Sequence, residues 1–182
     1  RQYYPQRDRQ GLVIDIRGNG GGFVSQMLLN RLQRELLLCS FGRHSGFTPY
    51  PRALFAGHLA CLIDETTASD GDLFAAAFRR AGLGPLYGKR TWGGVVGITD
   101  HGPLLDGGTV NVPEFGYTEP GPEWTIEGTG VSPDQVVDND VPSVLQGRDP
   151  QLDAAIDDLL ARRKKEPRQT PTPPKAPVKT GR

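Results

Sequence analysis

Cysteine is nearly absent from the 182 residues. Only Cys39 and Cys61 occur, too few for the disulfide framework that staples small secreted domains. Both stand in apolar surroundings, and both are expected to be buried free thiols. Long hydrophobic runs are missing as well: no stretch approaches the ~20 apolar residues that a membrane helix needs. No basic-then-apolar signal segment opens the chain, so no membrane partner is expected and a cytoplasmic location is. The chain begins at Arg1 and not at Met, and sequence upstream of it is therefore expected.

An excess of positive charge is also lacking. The formal charge is zero, but it is unevenly spread: residues 162–182 hold eight Lys/Arg and one acid, leaving thirteen basic and twenty acidic residues in 1–161. A folded part that is acidic argues against a nucleic-acid partner, whose electrostatic footprint is a basic face. A peptide substrate is easier to reconcile with it. Nothing in the residue pattern asks for a metal or another cofactor, and none is expected.

Hydrophobic residues make up 36% of the chain, enough to bury one core of ordinary domain size. The expected organisation is a lead-in segment (1–10), one core domain (11–166) and a disordered tail (167–182). Gly11 to Ile16 is a short apolar run that suits a strand buried on both faces. Gly18-Asn19-Gly20-Gly21-Gly22 then interrupts it, and Phe23, Met27, Leu28, Leu32 and Leu36 follow at helical spacing. Residues 40–57 carry Gly, Pro and aromatics without a period and read as a connecting loop. Leu59 to Ile63 is a second apolar run, and from Asp70 a helical pattern runs through Leu73, Phe74, Ala77 and Phe78. Two strand-then-helix units in succession predict an α/β domain with a mostly parallel sheet and covering helices. Val95-Val96, Thr109 to Val112 and Trp124 to Ile126 predict a small β subregion. Asp149-Pro150 opens a last helix, with Leu152, Ile156, Leu159 and Leu160 as its apolar face. Five prolines after Glu166, with almost nothing apolar to bury, mark the tail.

A serine nucleophile needs exposure at a sharp turn, a base for its proton and donors for the oxyanion. Ser69 stands between a predicted strand and a predicted helix, where such a group can be presented. Ser69 with Asp72 three residues on is also a helix capping box, which requires no catalysis and is the reading that local pattern alone favours. The Gly18–Gly22 loop is likewise either a tight turn or a source of N–H groups for an anion. No Gly-Lys-Ser/Thr follows it, so it is not a phosphate-binding P-loop, and it does not spell Gly-x-Gly-x-x-Gly. Glu127, by pattern, is one more solvated acid beside Glu119 and Glu123.

Four ordered segments taken together resemble one family. They are Val13-Ile14-Asp15-Ile16-Arg17-Gly18-Asn19-Gly20-Gly21-Gly22, Ala68-Ser69-Asp70-Gly71-Asp72, Gly88-Lys89-Arg90-Thr91-Trp92-Gly93-Gly94-Val95-Val96-Gly97 and Ile126-Glu127-Gly128-Thr129-Gly130-Val131-Ser132-Pro133-Asp134. The chain from about residue 11 to 165 looks like the catalytic domain of the tail-specific (S41-type) proteases, closest to their tricorn branch. The resemblance implies a ClpP/crotonase-like α/β fold and a serine peptidase acting on oligopeptides. It implies Ser69 as nucleophile, the N–H groups of Gly22 and Asp70 as oxyanion hole, and Glu127 at the charge-orienting end of the tetrad.

Departures from the family pattern carry information too. The lysine base of the C-terminal processing branch falls at Gly94 here, so a Ser/Lys dyad is not available, and Lys89 reads as structural. The tricorn branch resembles this chain but draws its base histidine from a region upstream of the domain. His44, His58 and His101 lie in no family motif. The aspartate linked to preference for basic residues in that branch falls at Ser40, so trypsin-like preference is not expected, and Arg43 in the same loop would favour an acidic group or a C-terminal carboxylate. The family also implies homo-oligomers. The rival readings are a non-catalytic module binding a peptide or hydrophobic ligand on the same fold, and a peptide-binding assembly subunit without turnover.

Overall fold

The computed structural model describes residues 3–175. Four strands form an all-parallel sheet in the order β1 (Gly11–Asp15), β4 (His58–Ile63), β5 (Leu86–Gly88), β8 (Gln135–Val136). Two antiparallel hairpins stand apart from it: β2 (Leu38–Gly42) with β3 (Gly46–Tyr50), and β6 (Gly97–Asp100) with β7 (Asn111–Phe115). The helices are α1 (Tyr3–Gln6), α2 (Ser25–Leu32), α3 (Asp70–Arg80), α4 (Val141–Leu145) and α5 (Pro150–Lys165).

β4 organises the core because its neighbours cover both faces. Its residues alternate: Leu59, Cys61 and Ile63 join Leu29, Phe74 and Phe78 from α2 and α3 on one side. Ala60 and Leu62 join Tyr87, Ala155 and Leu159 on the α5 side. Phe74 and Phe78 are fully buried neighbours, with ring centroids 5.8 Å apart, and burial of each side chain contributes roughly 1.5–3 kcal/mol. α3 carries Asp70 and Asp72 in its first turn and Arg79 and Arg80 in its last, the charge order that the helix dipole favours. At the start of α5 the Asp149 side chain accepts from Leu152 N, with Pro150 at the first helical position. Its last turn holds Arg162 to Lys165, so this helix starts and ends as expected.

The α/β class and the parallel sheet agree with expectation, while several details differ. The strand buried on both faces is β4; β1 is an edge strand and only half-buried. Residues 40–57 are not simply a loop, because the β2–β3 hairpin occupies much of the segment. α2 ends at Leu32, and Phe23 and Leu36 lie outside it and exposed. Trp124 to Ile126 form no strand, whereas β5 and β8, three and two residues long, extend the main sheet. The buried face of α5 is Gln151, Ala155 and Leu159, with Ile156 and Leu160 largely exposed. Cys61 is buried as expected; Cys39, on β2, is exposed. Residues 167–175 form neither helix nor strand, and the rest of the predicted tail, 176–182, lies outside the described residues, as do residues 1 and 2.

Candidate active site

β1, β4 and β5 are parallel neighbours, so their carboxyl ends lie together, which is where open α/β sheets place their sites. The glycine loop leaves β1, the turn carrying Ser69 leaves β4, and the segment 89–96 leaves β5.

Side chains and amides lace the first two together. Asp64 accepts from Gly18 N at 3.2 Å and from Thr66 N and the hydroxyls of Thr66 and Thr67. Burial works against its charge, yet the hydrogen bonds from Gly18, Thr66 and Thr67 hold its carboxyl below the ordinary range. Asn19 O accepts from Ala68 N at 2.8 Å, and Asn19 Oδ1 from Gly21 N at 3.0 Å. Gly71 permits the close approach: a Cβ there would lie 2.8 Å from Thr67 Cγ2 and 3.0 Å from Asn19 O.

Ser69 itself is half-buried, with φ 55° and ψ −113°. A non-glycine residue held in such a region costs about 1–3 kcal/mol. Its side chain makes no capping hydrogen bond, so the capping box expected from the Ser-x-x-Asp pattern does not form. Asp72, the other half of that pattern, is fully buried; its Oδ1 accepts from Gly93 N at 2.9 Å, and its Oδ2 has no partner among the described residues. Gly21 and Gly22 have φ of 124° and 142°. Neither Gly22 N–H nor Asp70 N–H finds an acceptor among the described residues.

The third segment docks against the second and against residues 126–131. Trp92 N donates to Thr67 O at 2.9 Å, and Gly128 N donates to Gly93 O at 2.7 Å. Val95 N donates to Glu127 Oε2 at 2.6 Å, so this exposed carboxylate is anchored by a main-chain amide of the segment between β5 and β6 rather than left among the other acids. Glu127 lines a cleft of about 580 Å³ together with Val96, Phe115 and Trp124. A second cleft of about 500 Å³ lies beside Asp70, walled by Phe23, Leu29, Leu73, Tyr117 and Ile126.

The remaining candidates lie elsewhere. Ser40 is exposed on β2 and Arg43 is exposed in the β2–β3 turn; neither lines either of these clefts. At Gly94, the expected counterpart of the lysine base, a side chain would meet the Trp92 ring. Lys89 pairs with Asp138 at 3.0 Å and Glu65 at 3.3 Å, in line with a structural role. His44 is exposed in the β2–β3 turn, His58 Nε2 meets Glu166 O at 2.8 Å, and His101 Nε2 meets Glu114 Oε1 at 2.5 Å. No hydrogen bond joins Ser69 to a histidine among the described residues. Gly21 against Ser69, Asp72 under Gly93 and the Asp70 carboxylate had not been anticipated; positive φ and long-range pairing leave no local sequence signature.

This arrangement, a serine on a turn beside amides of the glycine loop and of a helix start, agrees with a match of residues 2–137 to Peptidase family S41. The chain belongs to that family. It is 39% identical over 160 residues to the tricorn protease of Thermoplasma acidophilum, covering 88% of this chain and 15% of that protein. It is 39% identical over 163 residues to tricorn protease homolog 1 of Streptomyces coelicolor, covering 90% and 15%. Among solved structures, a crystal structure of the tricorn protease superposes with a TM-score of 0.84 at 38% identity, over 89% of this chain and 16% of that one. The chain thus spans about 15% of the length of these curated relatives.

Proposed function

We propose that the chain is the nucleophile-bearing domain of a serine-type peptidase that hydrolyses oligopeptides through an acyl-enzyme on Ser69. In this reading Ser69 Oγ attacks the scissile carbonyl carbon while its proton passes to a histidine imidazole supplied by a region outside this chain. Negative charge gathers on the carbonyl oxygen, where the N–H groups of Gly22 and Asp70 donate. The C–N bond then breaks and the proton goes to the departing amine; water completes the cycle by hydrolysing the ester. Glu127, fixed by Val95 N, orients the charged end of the relay.

The observation that carries the reading is the strained backbone of Ser69, φ 55° with no capping bond, next to two amides without acceptors. A scaffold that only bound a ligand would have no use for that strain, and this weighs against the non-catalytic reading on the same fold. Apolar walls beside Asp70 suit a peptide side chain. Cytoplasmic action and assembly as a homo-oligomer belong to the same reading, rest on resemblance to the tricorn-type relatives, and are checked by cell fractionation and light scattering. So does the suggestion that Ser40 and Arg43 shape selectivity.

The test is labelling of the full-length polypeptide with a fluorophosphonate, which reports an activated serine. Labelling and oligopeptide hydrolysis that disappear together in Ser69→Ala support the reading; a Ser69→Ala protein that keeps both overturns it. The 182-residue chain by itself is expected to be inactive or nearly so.

A further inference from the structure

Asp70 carries more than a main-chain amide. The residue is only 5% exposed. Oδ2 accepts from Val24 N at 2.9 Å and Ser25 N at 3.0 Å, and Oδ1 accepts from Ser25 Oγ at 2.5 Å. All three donors belong to the start of α2, directly after the glycine loop. Val24, in the capping position of that helix, has helical backbone angles and supplies no side-chain cap. Two of the orphan N–H groups at this helix start, those of Val24 and Ser25, are therefore satisfied from another helix. No basic side chain lies within ion-pair distance of Asp70 among the described residues, and its partners are two main-chain amides and one hydroxyl.

The consequence concerns the spacing of two amides. Gly22 precedes Val24 by two residues and is itself in a region open to glycine, with nothing within 4 Å of where a Cβ would be. The glycine loop is held upstream through Gly18 and Gly21. Downstream, its hold on α3 is the Asp70 carboxylate. We infer that the Asp70 side chain, with the Ser25 hydroxyl, is a positioning device: it fixes the Gly22 amide against the amide of Asp70 itself, so one residue supplies one oxyanion donor and sets the distance to the other. Oxyanion donors act only within about 2.7–3.1 Å of the developing charge, and loss of one lowers kcat about a hundredfold to a thousandfold. A loosened loop therefore weakens transition-state binding more than substrate binding.

This inference rests on the peptidase reading above, and its test separates the two. In the full-length polypeptide, with Ser69 counted by fluorophosphonate, Asp70→Ala is expected to lower kcat per labelled site about tenfold to a hundredfold while KM changes little. Asp70→Asn keeps an acceptor for the two amides and is expected to recover most of the loss. Ser25→Ala, a milder change that also serves if Asp70→Ala does not fold, is expected to lower kcat severalfold with KM unchanged, and Ser25→Thr to restore it. Affinity for a peptide aldehyde, whose hemiacetal places an oxyanion in the same position, should fall by the same factor as kcat. Unchanged kcat in both Asp70→Ala and Ser25→Ala, or an Asp70→Asn protein as impaired as Asp70→Ala, overturns the positioning role while leaving the reading of Ser69 intact. Turnover that survives Ser69→Ala overturns both.

Discussion

Ser69 and Gly21 are in direct contact: a Cβ built on Gly21 would lie 2.8 Å from Ser69 Cβ and 3.2 Å from its Oγ. Gly21 also holds φ 124°, which side-chain-bearing residues rarely adopt. The glycine loop thus presses on the serine with the residue just before Gly22. Gly21→Ala is expected to slow fluorophosphonate labelling of Ser69 at least about tenfold in the full-length polypeptide, a loss of geometry and not of binding area. Gly18→Ala serves as the control, because its Cβ meets nothing within 4 Å at φ 71°. It is expected to cost about 1 kcal/mol of stability and leave labelling nearly unchanged. Equal labelling of Gly21→Ala and wild type contradicts the contact's importance.

The parts of this molecule that could be read from sequence are those encoded by neighbouring residues. The run Leu59 to Ile63, the helix beginning at Asp70 and the Asp149-Pro150 helix start all appear where hydrophobic spacing and capping chemistry place them. β5 and β8 are too short to show a period, and their pairing is set by strands more than twenty residues away. The β2–β3 hairpin escaped because its glycine, proline and aromatic residues read as irregular, although Phe41 and Phe47 sit opposite each other across it. Around the site, local pattern favoured a cap for Ser69. The positive φ of Ser69 and the contacts among Asn19, Thr67 and Gly71 that flank it are long-range features, not legible along the chain. The four family segments compensated for that, since they carry in order what the fold brings together.

Glu127 accepts from Val95 N through Oε2, and Glu127→Gln preserves an acceptor for that amide while removing the charge. kcat/KM in the full-length polypeptide is expected to fall about tenfold or more, the scale of proton-transfer effects, with little change in thermal midpoint. A Gln variant as active as wild type would assign Glu127 to the fold alone.

Arg17 donates to Asp149 at 2.8 and 2.9 Å and to Asp15 at 2.7 Å, joining the end of β1 to the start of α5. The Arg17 hydrogen bond, opposed by partial burial, holds the Asp149 carboxyl well below the usual carboxylate range. A depressed folded-state pKa gives stability that is complete above the unfolded value of about 3.9 and is lost as pH falls toward the folded value. Asp149→Asn is therefore expected to lower resistance to urea more at pH 7 than at pH 3. An equal deficit at both pH values contradicts the linkage.

Cys39 is exposed and Cys61 is buried, where loss of solvation pushes the Cys61 thiol far up. A thiol-specific disulfide reagent at pH 8 should modify one cysteine rapidly and the second only on unfolding. Fast modification of both would show that β4 is more open than described.

The central claim is that Ser69 becomes acylated, and trapping that ester tests it most directly. The full-length polypeptide, mixed with an activated peptide ester and quenched in acid, should gain one acyl group, mapped by mass spectrometry to the peptide containing Ser69 and absent from Ser69→Ala. An acyl group on any other residue, or the same mass gain in Ser69→Ala, would contradict the account.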